Sequence, residues 1–259
     1  MLDINITHVN YGHKRLLGAF DLSLEAGEFV AVIGENGAGK STLLNTLAGE
    51  LDYHGSIQLN GRELTSWIPA QLAPVRAVME QKLSAPFGLT VAELVGMGRF
   101  WSHEPDYAAH QRALNWLERL DAAKFAERTM DTLSGGEQQR AHIARCLCQL
   151  DVTVPGEQML LLDEPTSALD VYHQHSVLAE LRRFTQQGNL VIAVMHDLNL
   201  ASLYADNILL LADGELKHFA KPEAVFRTEI LEQTYRSPVY ISEHPSIRKP
   251  MIFTEPRHL

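Results

Sequence analysis

The octapeptide Gly34-Glu35-Asn36-Gly37-Ala38-Gly39-Lys40-Ser41 constrains this chain more than any other stretch. Before it stands the apolar run Phe29-Val30-Ala31-Val32-Ile33, long enough for a buried strand. Behind it, Ser41 to Gly49 spaces its leucines as a helix does and stops at glycine. Strand, glycine loop and helix together make G-x-x-x-x-G-K-[ST] a phosphate-binding loop. Glycines let backbone wrap closely around a phosphate chain, and the amides opening the helix point at the anion. Lys40 is placed to reach the β- and γ-phosphates, and the Ser41 hydroxyl to take a position on Mg²⁺.

Two further segments specify the chemistry. Met159-Leu160-Leu161-Leu162 is followed by Asp163 and Glu164. Such a strand lies inside a parallel sheet and delivers its carboxylates at the carboxyl end, where α/β sheets hold ligands. Asp163 is thereby read as a Mg²⁺ ligand and Glu164 as the general base for an attacking water. Leu133-Ser134-Gly135-Gly136-Glu137-Gln138-Gln139-Arg140 opens with a capping box, S-x-x-E, ahead of a helix through Ala141, Ile143, Ala144 and Leu147. Paired glycines weaken a first turn yet leave its amides bare, which suits a second anion contact.

That third segment resembles the signature motif of the ATP-binding cassette (ABC) ATPases, and the remaining landmarks follow in the family's order. The likeness spans residues 2–237. It implies an α/β fold: a P-loop core of mixed, mostly parallel sheet flanked by helices, an antiparallel β subdomain, and a helical subdomain inserted at about 85–150, with 238–259 as an extension. It also implies ATP and Mg²⁺ as ligands. Tyr11 resembles the aromatic that stacks on adenine. Gly34, Glu35, Asn36, Gly37, Ala38, Gly39, Lys40, Ser41 and Thr42 hold the phosphates. Gln81 resembles the glutamine that senses Mg²⁺ and the γ-phosphate, and His196 the switch histidine, so that Glu164, His196 and Gln81 form the catalytic set and Ser41, Gln81 and Asp163 the metal set. Ser134, Gly135 and Gly136 close on the ATP of a second copy, and Asp170, in Ser167-Ala168-Leu169-Asp170, touches that copy beside the site. Glu80 departs from many relatives without touching the mechanism.

Within the family, His196-Asp197-Leu198-Asn199-Leu200-Ala201 with Tyr204-Ala205-Asp206 resembles importers of iron chelates and cobalamin. Arg76-Ala77-Val78-Met79, Ala85-Pro86-Phe87, Leu169 to Gln174 and the long loop before Met159 are most similar to hemin importers. The resemblance implies a homodimer, transmembrane permease subunits, indirect contact with a periplasmic haem-binding protein, and residence on the cytoplasmic face of the inner membrane. Ferric siderophores and cobalamin are alternative cargoes, and a soluble non-transport ABC ATPase is the alternative class. Segment 82–88, with Phe87 as its apolar anchor, is expected to border the groove that receives a permease helix.

Composition agrees. The 259 residues, 46% hydrophobic, suffice for one large α/β unit. A net charge of −10 argues against nucleic acid as partner. No apolar run approaches the ~20 residues of a membrane helix, and the start, Met1 to Asn5, alternates like an edge strand and lacks the pattern of a signal peptide. Cys146 and Cys148, at i and i+2, read as small buried residues. The twelve histidines form no ligand spacing, which argues against haem ligation by this chain. Thr90 to Glu93 is a second capping box, residues 110–120 carry an apolar stripe, 151–157 is a turn-rich excursion, and 207–220 reads strand-turn-strand.

Overall fold

A computed structural model describes residues 1–81, 88–151 and 156–254. Segment 82–87, which includes Phe87, residues 152–155 of the excursion and 255–259 of the tail lie outside the described residues.

The chain begins with an antiparallel sheet: β1 (Leu2–Tyr11) pairs with β2 (Lys14–Leu17) and β3 (Phe20–Leu24) on one side. β5 (Tyr53–Leu59) and then β6 (Arg62–Glu63) follow on the other side. β1 is therefore interior, which corrects the expectation of an edge. Its alternation of buried Leu2, Ile4 and Ile6 with exposed residues records one covered face, and antiparallel strands show it whether central or peripheral.

The second sheet runs β11 (Glu215–Ala220), β10 (Asn207–Ala212), β4 (Phe29–Ile33), β9 (Leu190–Val194), β8 (Met159–Asp163), β7 (Arg76–Met79). All neighbours are parallel except β10 with β11. Every residue of β4, β8 and β9 is buried, because both faces are covered. Phe29, Ala31 and Ile33 face one hydrophobic cluster, and Val30 and Val32 the other. Leu161 of β8 is fully buried in that second cluster. Leu161→Ala should accordingly cost about 3 kcal/mol of stability, read by urea unfolding, because the cavity cannot collapse between two packed layers.

Helices cover the sheet. α1 (Lys40–Leu47) follows β4, and the one-turn α2 (Pro69–Leu72) precedes β7. α3 (Val91–Gly96), α4 (Asp106–Arg119) and α5 (Gly135–Gln149) pack on one another, and α5 reaches β7. Both expected capping boxes form: Glu93 N–H donates to Thr90 Oγ1 at 3.2 Å while Thr90 N–H donates to Glu93 Oε2 at 2.8 Å. Ser134 N–H likewise donates to Glu137 Oε2 at 2.8 Å, with Glu137 N–H returning to Ser134 Oγ. Cys146 and Cys148 are free and buried, and burial pushes the Cys148 thiol up to about 12. α6 (Val171–Gln186), after β8, carries Glu180, 1% exposed and ion-paired to Arg119 of α4 and Arg183.

α7 (Leu198–Tyr204) starts two residues after His196. Beyond β11 come α8 (Pro222–Val225), α9 (Thr228–Tyr235) and a hairpin of β12 (Val239–Glu243) and β13 (Pro250–Thr254). The hairpin is clasped to α7. Asn199 Nδ2 donates to Ile252 O at 3.1 Å, Asn199 Oδ1 accepts Ile252 N–H at 2.7 Å, and Ser202 Oγ donates to Pro250 O at 2.6 Å.

Candidate active site

Parallel pairing puts three chain turns side by side. Val32 of β4 is level with Val194 of β9, and Val194 with Asp163 of β8. The residues that leave these strands, Gly34, Glu164 and His196, therefore meet at the carboxyl edge of the sheet, the usual ligand position of such sheets. β7 brings Gln81 to the same edge.

The loop after β4 accepts only glycine at two points. Gly34 has φ +147° and Gly39 φ +101°, where L side chains are strained; a Cβ would strike the Leu211 carbonyl at Gly34 and the Leu17 side chain at Gly39. Lys40, 7% exposed, folds back and donates from Nζ to the Gly34 and Glu35 carbonyls at 2.7 and 2.9 Å. Burial holds its ammonium below the usual lysine range, opposed by Glu164 and Asp163. Burial also raises the Asp163 carboxyl, with a hydrogen bond from Ser41 acting the other way, and Asp163 Oδ1 is buried without a hydrogen-bond partner. A buried cation beside open backbone amides and an orphaned carboxylate oxygen beside a hydroxyl are what a Mg²⁺–phosphate pair satisfies.

Glu164 follows β8 at φ +52°, an uncommon conformation for a side-chain residue and one held here by Glu164 N–H donating to Val194 O at 3.2 Å. Its Oε1 accepts Gln81 Nε2–H at 2.8 Å and lies 2.7 Å from His196 Nε2. The three predicted catalytic side chains thus converge on one carboxylate oxygen.

These residues line a cavity of about 600 Å³ with Asn36, Gly37, Gly39, Lys40, Ser41 and Thr42. Lys14, Arg15, Leu16, Asp213 and Gly214 complete it, and none of them was expected from sequence. The Asp213-Gly214 turn between β10 and β11 is held against the phosphate loop by Gly214 N–H to Ala38 O at 3.1 Å, and Gly18 N–H to Gly214 O at 2.7 Å adds the β2 side. Tyr11 is 73% exposed, opposite Lys14 across the β1–β2 turn, and is not part of the cavity wall.

The signature residues lie elsewhere. Ser134, Gly135, Gly136 and Asp170 line a separate hollow of about 630 Å³ with Lys124, Arg140, Leu169 and His173. Glu137 also lines it, so the bases Lys124 and Arg140 face the carboxylates Glu137 and Asp170 there, beside the start of α5. The predicted nucleotide residues thus lie in two separate hollows of the one chain. Gln139, which sequence reading passed over, links them mechanically. From α5 its Nε2 donates to Glu164 O at 2.7 Å, and its Oε1 accepts Ala168 N–H at 3.1 Å.

Comparison with known proteins agrees with this geometry. The ABC transporter family model matches residues 17–167. This chain is a member of the ABC transporter family. The hemin import ATP-binding protein HmuV of Idiomarina loihiensis is 64% identical over 258 residues, covering 100% of both chains. HmuV of Pseudomonas fluorescens Pf-5 is 42% identical, covering 97% of this chain and 99% of the relative. Among solved structures, a metal-chelate type ABC transporter in an inward-facing conformation superposes with a TM-score of 0.80 at 27% identity, over 99% and 98% of the two chains. A dimeric ATP-binding cassette in a post-hydrolysis state with ADP and Pi gives 0.74 at 27% identity, over 85% of this chain and 98% of that one. This ABC ATPase therefore binds ATP with Mg²⁺ and hydrolyses it as part of a dimeric transport complex.

Proposed function

We propose that this ABC ATPase drives import of hemin. The observation that carries the cargo is full-length identity of 64% to a hemin import ATP-binding protein, with both chains covered end to end. Residues 2–237 are assigned as the ATP-binding unit, with the helical insert at about 85–150 and 238–259 as an extension.

The chain's own groups divide the work as follows. Lys40 leaves its two loop carbonyls for the β- and γ-phosphate oxygens, which relieves the cost of its burial. Ser41, Asp163 and Gln81 hold Mg²⁺, which when bound screens the phosphate charge and orients its oxygens. Glu164 accepts the proton of the attacking water, while His196 and Gln81 keep its carboxylate aimed. Tyr11, exposed and paired with the cavity-lining Lys14, is free to stack on adenine. Ser134, Gly135, Gly136 and Asp170 of one subunit complete the site of the other in a head-to-tail homodimer.

No helix among the described residues is long and apolar enough to cross a membrane. Membrane attachment is assigned to permease subunits, which this ATPase meets at the cytoplasmic face of the inner membrane and which receive hemin from a periplasmic haem-binding protein. A second reading, the ferric siderophore or cobalamin cargo that the sequence leaves open, is favoured by the 27% identity to the metal-chelate type transporter. Reconstituting the ATPase and its permease in vesicles with the cognate binding protein separates the two. Hemin-loaded binding protein should stimulate hydrolysis several-fold and move hemin into the lumen; stimulation by ferric siderophore or cobalamin instead would reassign the cargo.

A further inference from the structure

Outside the phosphate cavity, one imidazole is gripped from both sides. His173, in the first turn of α6 and 19% exposed, has Nδ1 2.9 Å from Asp170 Oδ1 and Nε2 3.2 Å from Asp121 Oδ2. Asp170 is the cap of the same helix, and its Oδ1 also accepts the His173 backbone N–H at 2.9 Å. Asp121 comes from the turn after α4, in the helical segment, and is held at φ +52°. Arg140 of α5 lies 3.6 Å from Asp121 Oδ2 and donates to Asp121 O at 2.6 Å. Lys124 is 3.6 Å from the same carboxylate, and the Tyr172 ring meets His173 edge-on at 5.1 Å. Among the described residues, these are the charged and titratable groups that face the ring. His173, Arg140 and Asp170 line the hollow that also holds Ser134 and Gly136.

A neutral imidazole has one N–H and one lone pair, so it donates to one carboxylate and turns a lone pair on the other. Both contacts are hydrogen bonds only when both nitrogens carry protons. Both carboxyls sit below the usual range. For Asp121 the His173 side chain is the largest cause; for Asp170 it is the His173 backbone N–H, with the ring next.

We propose that His173 is a positioning residue for ATP hydrolysis. Its ring clasps Asp170, in the loop that faces the second subunit, to Asp121 of the helical segment. The clasp sets where the signature turn stands when it closes on the opposite chain's ATP. The assignment rests on the head-to-tail reading of the site. Because these ion pairs are largely exposed, they add little to stability, and their effect belongs to the geometry of the half-site. The sign follows from the hydrogen bonds: the clasp is complete when both ring nitrogens carry protons, and a neutral ring keeps only one of the two bonds.

The test is steady-state hydrolysis by the ATPase–permease complex from about pH 5 to 9, the window in which histidine changes charge. Wild type should lose kcat on the alkaline side with a component that His173→Gln lacks. At the acidic end His173→Gln should show kcat lowered about 3- to 10-fold, with the KM for ATP and the melting temperature near wild type. Asp121→Asn, which keeps an acceptor but removes its charge, should move the alkaline limb to lower pH. Wild-type kcat with an unchanged alkaline limb in His173→Gln would overturn the proposal. So would a loss of kcat by one constant factor at every pH, and so would an unmoved limb in Asp121→Asn. Gel filtration of Glu164→Gln with Mg²⁺ and ATP tests the head-to-tail reading separately. A dimer there with no clasp-dependent limb rejects the clasp alone, whereas failure to dimerise rejects the reading beneath it.

Discussion

Glu164→Gln should bind ATP normally and hydrolyse it about 10²- to 10⁴-fold more slowly. The substitution keeps the shape that Gln81 and His196 grip but removes the charge proposed to take a proton from water. Lys40 and Ser41, the residues proposed to meet the phosphates, stay in place, so affinity should persist. With hydrolysis stalled, ATP-bound dimers should accumulate, visible as a doubled mass on gel filtration with Mg²⁺ and ATP. Near-normal turnover would remove Glu164 from the role of base.

Ser134→Arg should abolish hydrolysis while leaving ATP binding to the isolated subunit intact. Ser134 lines the signature hollow and caps α5, whereas the phosphate cavity is built without it. Arginine there fills with bulk the space proposed for the partner's γ-phosphate. Loss of the cap costs about 1 kcal/mol, too little to unfold a unit of this size. Nucleotide affinity by calorimetry should match wild type, and ATP-dependent dimerisation should vanish.

Legibility in the sequence followed how local each feature is. Lys40, Ser41, Asp163, Glu164 and the Ser134–Glu137 box each sit in one contiguous pattern whose physics is complete within a few residues, and each stands where that pattern implies. The parallel core was readable because Phe29–Ile33 and Met159–Asp163 are apolar without alternation. Other features depend on tertiary packing. Lys14, Arg15 and Asp213 reach the cavity because two turns distant in sequence are tied to the phosphate loop through Gly214. Alternation in β1 reports a covered face but not how many strands flank it, hence the mistaken edge. His173 falls in the Leu169–Gln174 stretch that resembles hemin importers, but its contact with Asp121, fifty-two positions away, shows only in the fold. The separation of the signature residues from the phosphate loop was legible only through the family resemblance, which implies a site shared between two copies, and not from either motif's local pattern.

That separation carries the central claim, that each ATP site is shared between two copies, and mixing two inactive variants tests it directly. Lys40→Ala lacks the phosphate contact but keeps its signature half-site; Ser134→Arg has the reverse defect. In a head-to-tail pair of one of each, one site combines the intact phosphate loop of the Ser134→Arg chain with the intact signature turn of the Lys40→Ala chain. Single-turnover hydrolysis by the mixture should therefore rise well above that of either variant alone. If the mixture stays as inactive as its components, both halves must act within one chain, and the shared-site account is contradicted.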